Sequence, residues 1–124
     1  MNENTAVYFP ISNPERVETW GMNHYSISQV FKPKTEREIK ELFHYANTHK
    51  SKITFRGGGC SYGDASVNNA GIVVDMRDFN KILGFDEATG ILTAQSGVTI
   101  KQLWEKKKKK GFWPPVVGGT MMPT

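Results

Sequence analysis

Apolar positions along this chain change spacing from one segment to the next, and each change marks an element. Across residues 35–48 they recur at Ile39, Leu42, Phe43 and Ala46, the i, i+3, i+4, i+7 spacing of one helical face. Glu36, Arg37, Lys40 and Glu41 take the wet side. Thr35 is a good N-cap, and Glu38 three residues on completes a capping box. A second helix opens the same way at Thr99, with Gln102 as the reciprocal partner and Ile100, Leu103 and Trp104 as its buried face. Gly111 is its expected stop.

Shorter apolar runs predict strands. Gln29-Val30-Phe31-Lys32 is one, stopped by Pro33. Ile53-Thr54-Phe55 is another, and Ile72-Val73-Val74-Asp75-Met76, apolar on both faces, is expected to be central. Asp78 is expected to cap a single turn through Phe79-Asn80. Ile82–Phe85 and Ile91–Gln95 flank Asp86-Glu87-Ala88-Thr89-Gly90, a hairpin with Gly90 at positive φ. Phe112-Trp113-Pro114 begins a strand that Pro114 and Pro115 confine to an edge or loop. The first thirty residues are weakly patterned, with a turn near Asn13-Pro14-Glu15 and a bend at Trp20-Gly21. The order predicts an α+β fold, helices packed on small mixed β-sheets.

Between the second and third of these strands lies Arg56-Gly57-Gly58-Gly59-Cys60-Ser61-Tyr62-Gly63-Asp64. Four glycines so close together carry a backbone-entropy cost that some local requirement must justify. Glycine permits positive φ and leaves no Cβ, so successive N–H groups can converge into a nest for an anion such as a pyrophosphate. A Rossmann turn requires a helix directly after its glycines. Ala65-Ser66-Val67-Asn68-Asn69-Ala70-Gly71 has turn formers and no helical stripe, so the loop reads as a strand-to-strand nest. The competing reading is a tight surface turn.

Composition narrows the classes. At 124 residues the chain has room for one domain with a modest core. No apolar run approaches membrane-spanning length, and Met1–Thr5 is no basic leader, so cytoplasmic residence is the default expectation. The single cysteine, Cys60, excludes an intramolecular disulfide framework and a Cys-rich zinc site. His44 and His49 lack the companions a metal site needs and read as solvated or dipole-favoured. Lys106 to Lys110 supply much of the +4 net charge. They read as a solvated face at a helix C-terminus, with no nucleic-acid partner expected. The stretch from Pro114 to Thr124 is a second glycine-bearing loop with no closing element, which predicts a piece of a longer protein.

These residues resemble the N-terminal FAD-binding (PCMH-type) domain of the vanillyl-alcohol oxidase and para-cresol methylhydroxylase flavoprotein superfamily. The likeness points towards the branch holding decaprenylphosphoryl-β-D-ribose oxidase. It rests on Trp20-Gly21, on Arg-Gly-x-Gly-x-Ser-Tyr-Gly-Asp at Arg56 to Asp64, and on Asp75-Met76. It rests also on Ser96-Gly97-Val98 and on Pro115-Val116-Val117-Gly118-Gly119-Thr120. The resemblance implies a truncated FAD-binding domain over residues 20–124, an N-terminal extension over 1–19, and a substrate domain beyond the chain.

The resemblance also implies roles. Amides from Gly57 to Gly63, with the Ser61 hydroxyl, would hold the FAD pyrophosphate. Gly119 and Thr120 would approach the cofactor from the second loop, and Thr124 would begin the segment completing the site. Arg56 is left open between phosphate ligand and loop anchor. Sugar-alcohol and aldonolactone oxidases of the superfamily often carry at the Cys60 place a histidine bonded covalently to flavin, and a cysteine there implies non-covalent FAD.

The implied activity is oxidation of a CH–OH group of a sugar, polyol or glycolipid-type substrate by hydride transfer to flavin N5. An aldonolactone oxidase of the D-arabinono-1,4-lactone type is the alternative. A non-redox module binding nucleotide or nucleic acid is the alternative of another class. No catalytic residue is expected within the chain, since turn and strand-end roles account for Asp64, Asp75 and Asp78. The substrate would bind through the missing domain, and neither the oligomer nor the electron acceptor is legible.

Overall fold

The computed structural model describes residues 13–107 and 111–122. Its strands and helices run β1 (Glu15–Glu18), β2 (Tyr25–Phe31), α1 (Glu36–Thr48), β3 (Ile53–Arg56), β4 (Ile72–Asp75), β5 (Ile82–Phe85), β6 (Leu92–Ala94) and α2 (Ile100–Lys107). The first four strands form one mixed sheet in the order β1-β2-β4-β3, and β5 and β6 form a separate hairpin. The α+β expectation of helices on small mixed sheets holds.

β4 is central, flanked by β2 and β3, both parallel to it. Ile72, Val73 and Val74 are almost wholly buried. The β period of two splits them between faces. Ile72 and Val74 join Leu42 and Ala46 of α1, with Met76 and Phe79, in the main core. α1 therefore covers one face of the sheet. Val73 points to the other face, as do its register partners Val30 and Thr54 and, further along β2, Ser26 and Ser28.

That second face is crossed by residues 57–71, the link from β3 to β4. Parallel neighbours need a long crossover, usually a helix; here it is irregular chain. Asn68 fastens it. Its amide donates to Ser26 Oγ at 3.2 Å, its carbonyl accepts from Ser28 Oγ at 2.8 Å, and its Nδ2 donates to the Lys52 carbonyl at 2.9 Å. The buried serines that blurred the pattern of β2 thus bond the crossover, which is why apolar spacing reported only the end of that strand.

Several expectations need correction. β2 begins at Tyr25, and β1 pairs antiparallel with it where no strand was expected. The turn after β4 is a short 3₁₀ segment at Met76–Asp78 whose cap is Asp75, not Asp78. Phe43 is half exposed, because it lies against Phe55 of the edge strand β3, ring centroids 6.0 Å apart, instead of in the core. Trp104 is 38% exposed, and no described residue of α2 is fully buried. Residues 112–114 form no strand; Phe112 packs edge-on against Phe85 at 5.1 Å. The lysines from 108 to 110 lie outside the described residues.

Both capping boxes are present. Glu38 N donates to Thr35 Oγ1 at 3.2 Å while Glu38 Oε2 accepts from Thr35 N at 3.0 Å. At α2, Gln102 N donates to Thr99 Oγ1 at 3.2 Å and Gln102 Oε1 accepts from Thr99 N at 2.8 Å. Gly90 has φ 74°, as the hairpin requires. His49 closes α1, its amide donating to the Tyr45 carbonyl and its ring stacked on Tyr45 at 4.0 Å. No helix among the described residues is long and apolar enough to cross a membrane.

Candidate functional site

The glycine loop leaves the C-terminal end of β3, beside the C-terminal end of β4, since Arg56 stands in register with Asp75. Open α/β sheets bind ligands at this end of their parallel strands. Here the position follows from topology: a parallel link must leave at the carboxyl ends and return to the amino ends.

Within the loop, Gly59 has φ 70°, a left-handed conformation that favours glycine. Ser61, Tyr62, Gly63 and Asp64 are exposed, while Gly57, Gly58 and Cys60 are half-buried. Among the described residues, no amide from Gly58 to Ala65 donates a hydrogen bond within the chain. The first amide of the crossover that does is Val67, to the Asp64 carbonyl at 3.1 Å. These N–H groups are neither paired in a ladder nor spent in a turn, which is the condition a nest for an anion must meet. Cys60 Sγ lies 3.6 Å from the Gly58 carbonyl oxygen.

Three neighbours hold the loop, none of them legible from local sequence. Arg56 turns under it: Nη1 donates to Ser66 Oγ at 3.0 Å and to the Ser66 carbonyl at 3.4 Å. The β1–β2 turn abuts it, with the Tyr62 carbonyl oxygen 3.2 Å from where a Cβ on Gly21 would stand. On the other flank, a Cβ on Gly58 would overlap the carbonyl oxygen of Met122. Met122 ends the described part of the second loop, and its neighbour Met121 accepts from Lys101 N at 2.9 Å, at the start of α2. The two glycine loops are thereby brought side by side.

Gly119 and Thr120, immediately before that Met pair, are exposed, with open space around Gly119. Thr124 lies outside the described residues. The signal for this juxtaposition is present only as the glycines themselves. Gly58 has room for no side chain, yet nothing local says which residue occupies the space.

Among the described residues, Asp75 is the one buried carboxylate near the loop's origin, 2% exposed. Burial alone would raise its pKa. Arg77 overrides it, with side-chain contacts at 2.8 and 3.0 Å, an amide at 3.1 Å and its positive charge, and Lys32 adds to the field; the carboxyl is held below its ordinary range. Asp75 thus acts as an ionised cap on the 3₁₀ turn, with no free oxygen geometry that suggests a proton acceptor. Ser96-Gly97-Val98 packs on the same turn: a Cβ on Gly97 would overlap the Met76 carbonyl oxygen and lie 2.6 Å from that of Phe79.

A cavity of about 330 Å³, sharing no lining residue with the loop, opens between the β5–β6 hairpin, α2 and residues 112–115. Phe85, Leu92, Leu103, Phe112 and Trp113 line it. It is apolar and carries no group suited to a phosphate, so it is separate from the loop in both place and chemistry.

Residues 27–124 match the sequence model of a family described as FAD binding domain. Decaprenylphosphoryl-beta-D-ribose oxidase of Mycolicibacterium smegmatis is 30% identical over 117 residues, covering 94% of this chain and 25% of that protein. The mitochondrial D-2-hydroxyglutarate dehydrogenase of Arabidopsis thaliana is 29% identical over 114 residues, covering 86% of this chain and 20% of that one. Among solved structures, 6-hydroxy-D-nicotine oxidase from Arthrobacter nicotinovorans superposes with a TM-score of 0.70 at 22% identity, over 85% of this chain and 26% of the other. The chain therefore spans about a quarter or less of the length of each.

Proposed function

Because this chain belongs to the FAD binding domain family, we propose that it is the diphosphate-gripping part of a larger FAD-dependent oxidoreductase that oxidises a CH–OH carbon. The observation that carries this is the run of amides from Gly58 to Ala65 that find no hydrogen-bond acceptor among the described residues, bent by Gly59 at φ 70° and set at the carboxyl ends of parallel strands. Backbone donors fixed in this way bind a pyrophosphate without reorganising, and the cost of ordering them is met on folding. Packing fixes the loop's course as well: Gly58 and Gly59 have no space for a Cβ because Met122 and the Arg56 guanidinium lie against them.

Bound FAD supplies the hydride acceptor, and the chain's own share is to place it. In this reading Gly57 to Gly63 and the Ser61 hydroxyl hold the diphosphate. Gly119 and Thr120 approach from the second loop, carried there by the Met122–Gly58 contact. In this reading the base that takes the substrate hydroxyl proton lies outside residues 1–124, so no catalytic residue is assigned here.

Sugar and polyol alcohols are the favoured donors, on the strength of the similarity to decaprenylphosphoryl-beta-D-ribose oxidase across 94% of the chain. The similarity to D-2-hydroxyglutarate dehydrogenase favours a second reading, a 2-hydroxy acid donor. Purified protein carrying this chain is expected to be yellow, and its flavin to bleach when sugar or polyol alcohols are added without oxygen. Bleaching by D-2-hydroxy acids alone selects the second reading. A colourless protein that takes up no FAD on addition refutes both.

A further inference from the structure

We infer that Arg56 is a positioning residue that braces the glycine loop from beneath and does not contact phosphate. The inference rests on the diphosphate reading above and assigns this residue's part in it. A guanidinium at the mouth of an anion loop invites a ligand role, since its fork suits phosphate oxygens. The geometry here directs it elsewhere.

Arg56 ends β3 and shares the face of Thr54 and Val73, the face the crossover covers. Its Nη1 is bonded to Ser66, which is itself only 5% exposed. Its guanidinium carbon lies 2.7 Å from the position a Cβ on Gly59 would take, and Nε lies 3.1 Å from it. Gly59 therefore rests directly on the planar cation. One side chain ties the start of the loop, its left-handed residue and its far end at Ser66. The loop is thereby closed around an internal plate. Only a flat, multiply donating group can act as plate and tie together; the ammonium of a lysine is a point and cannot do both.

This explains two glycine and serine choices at once. Gly59 needs φ 70° and also must leave room for the guanidinium, so alanine there is excluded twice. Ser66 is a buried hydroxyl in an otherwise exposed stretch, and its Oγ is the terminus of the tie.

The test compares Ser66→Ala, Arg56→Lys, Arg56→Ala and the Arg56→Ala/Ser66→Ala pair in the whole protein that carries this chain. Two measurements are made: FAD affinity by flavin-fluorescence titration, and chymotryptic cleavage after Tyr62 in flavin-free protein. Tyr62 is 75% exposed, so cleavage there reports how firmly the loop is held. S66A retains every charge, so a phosphate-contacting Arg56 would leave its FAD affinity at the wild-type value. The brace instead requires S66A and R56K each to weaken FAD by about tenfold, the weight of one hydrogen bond to a charged group. The double variant should be no weaker than R56A, because both changes break one tie.

Cleavage after Tyr62 should rise in all four variants at temperatures where each remains folded. Wild-type affinity in S66A, or additive losses in the pair, would overturn the inference. If wild-type protein takes up no FAD, the functional reading fails, while the Tyr62 cleavage rates still decide whether Arg56 braces the loop.

Discussion

Gly58 and Met122 touch backbone to backbone: a Cβ on the one would overlap the carbonyl oxygen of the other. Residues far apart in sequence thus close the gap between the two glycine loops, and the second loop reaches the first only because Met121 is hung on the Lys101 amide at the head of α2. Gly58→Ala should drive the loops apart. We expect a stability loss of about 1–3 kcal/mol, typical of forcing a methyl into packed chain, together with lost flavin retention. Gly63→Ala is the control, since no atom lies within 4 Å of the Cβ it would carry. It should keep its thermal midpoint yet bind FAD more weakly, since Gly63 is among the residues proposed to hold the diphosphate. Equal flavin affinity in Gly63→Ala and wild type would remove Gly63 from the site.

Gly97 serves the fold and not the loop. It sits over the carbonyls of Met76 and Phe79, and its own amide donates to Phe79 at 2.8 Å. Gly97→Ala should cost about 2 kcal/mol or more by overpacking against rigid backbone. Urea unfolding monitored by tryptophan fluorescence measures it; a change below half of that would mean the 3₁₀ turn can shift aside.

Acid should unfold the protein partly through Asp75. Its folded pKa lies below the ordinary value of 3.8, so its charge-linked stability is complete above that value and is lost as pH falls through it towards the depressed one. Glu38 behaves alike from its ordinary 4.5, its carboxylate bonded by the Lys34 and Thr35 amides. Asp75→Asn should lose about 1–3 kcal/mol at neutral pH, by weakening a buried, charge-assisted bond. It should also show a shallower decline of stability below pH 4. An unchanged acid limb would place the acid sensitivity in other carboxylates.

The first capping box gives a calibrated measure of α1. Thr35→Ala removes the acceptor for Glu38 N and should cost about 1 kcal/mol. Chemical denaturation resolves a change of that size. A loss several times larger would show that α1 also depends on Thr35 for its placement against β4.

Cys60 is half-buried, with its sulfur 3.6 Å from the Gly58 carbonyl oxygen. A non-covalent cofactor is expected, so acid precipitation of the flavin-loaded protein should leave the colour in the supernatant. Residues 1–124 alone are expected to bind FAD weakly, since only one side of the proposed site is present. A submicromolar dissociation constant in a fluorescence titration would show that this chain suffices.

Local signals in the chain determined α1, α2, both capping boxes, the β5–β6 hairpin and the central burial of β4. Each depends on residues within a few positions of one another, where propensity, spacing and cap chemistry agree. The glycine motif likewise singled out the loop from Arg56 to Asp64, with an anion nest and a tight surface turn both open as its reading. Tertiary structure alone decided what those glycines face. Arg56 under Gly59, Tyr62 against Gly21 and Met122 on Gly58 are contacts between segments that share no periodicity. It also decided β1 and the full length of β2, because Ser26 and Ser28 are buried by bonds to Asn68 from across the sheet. A polar residue buried by a distant partner looks, in sequence, like a solvated one. The physical reason is that hydrogen-bond satisfaction is settled by three-dimensional neighbours, whereas apolar spacing is written along the chain itself.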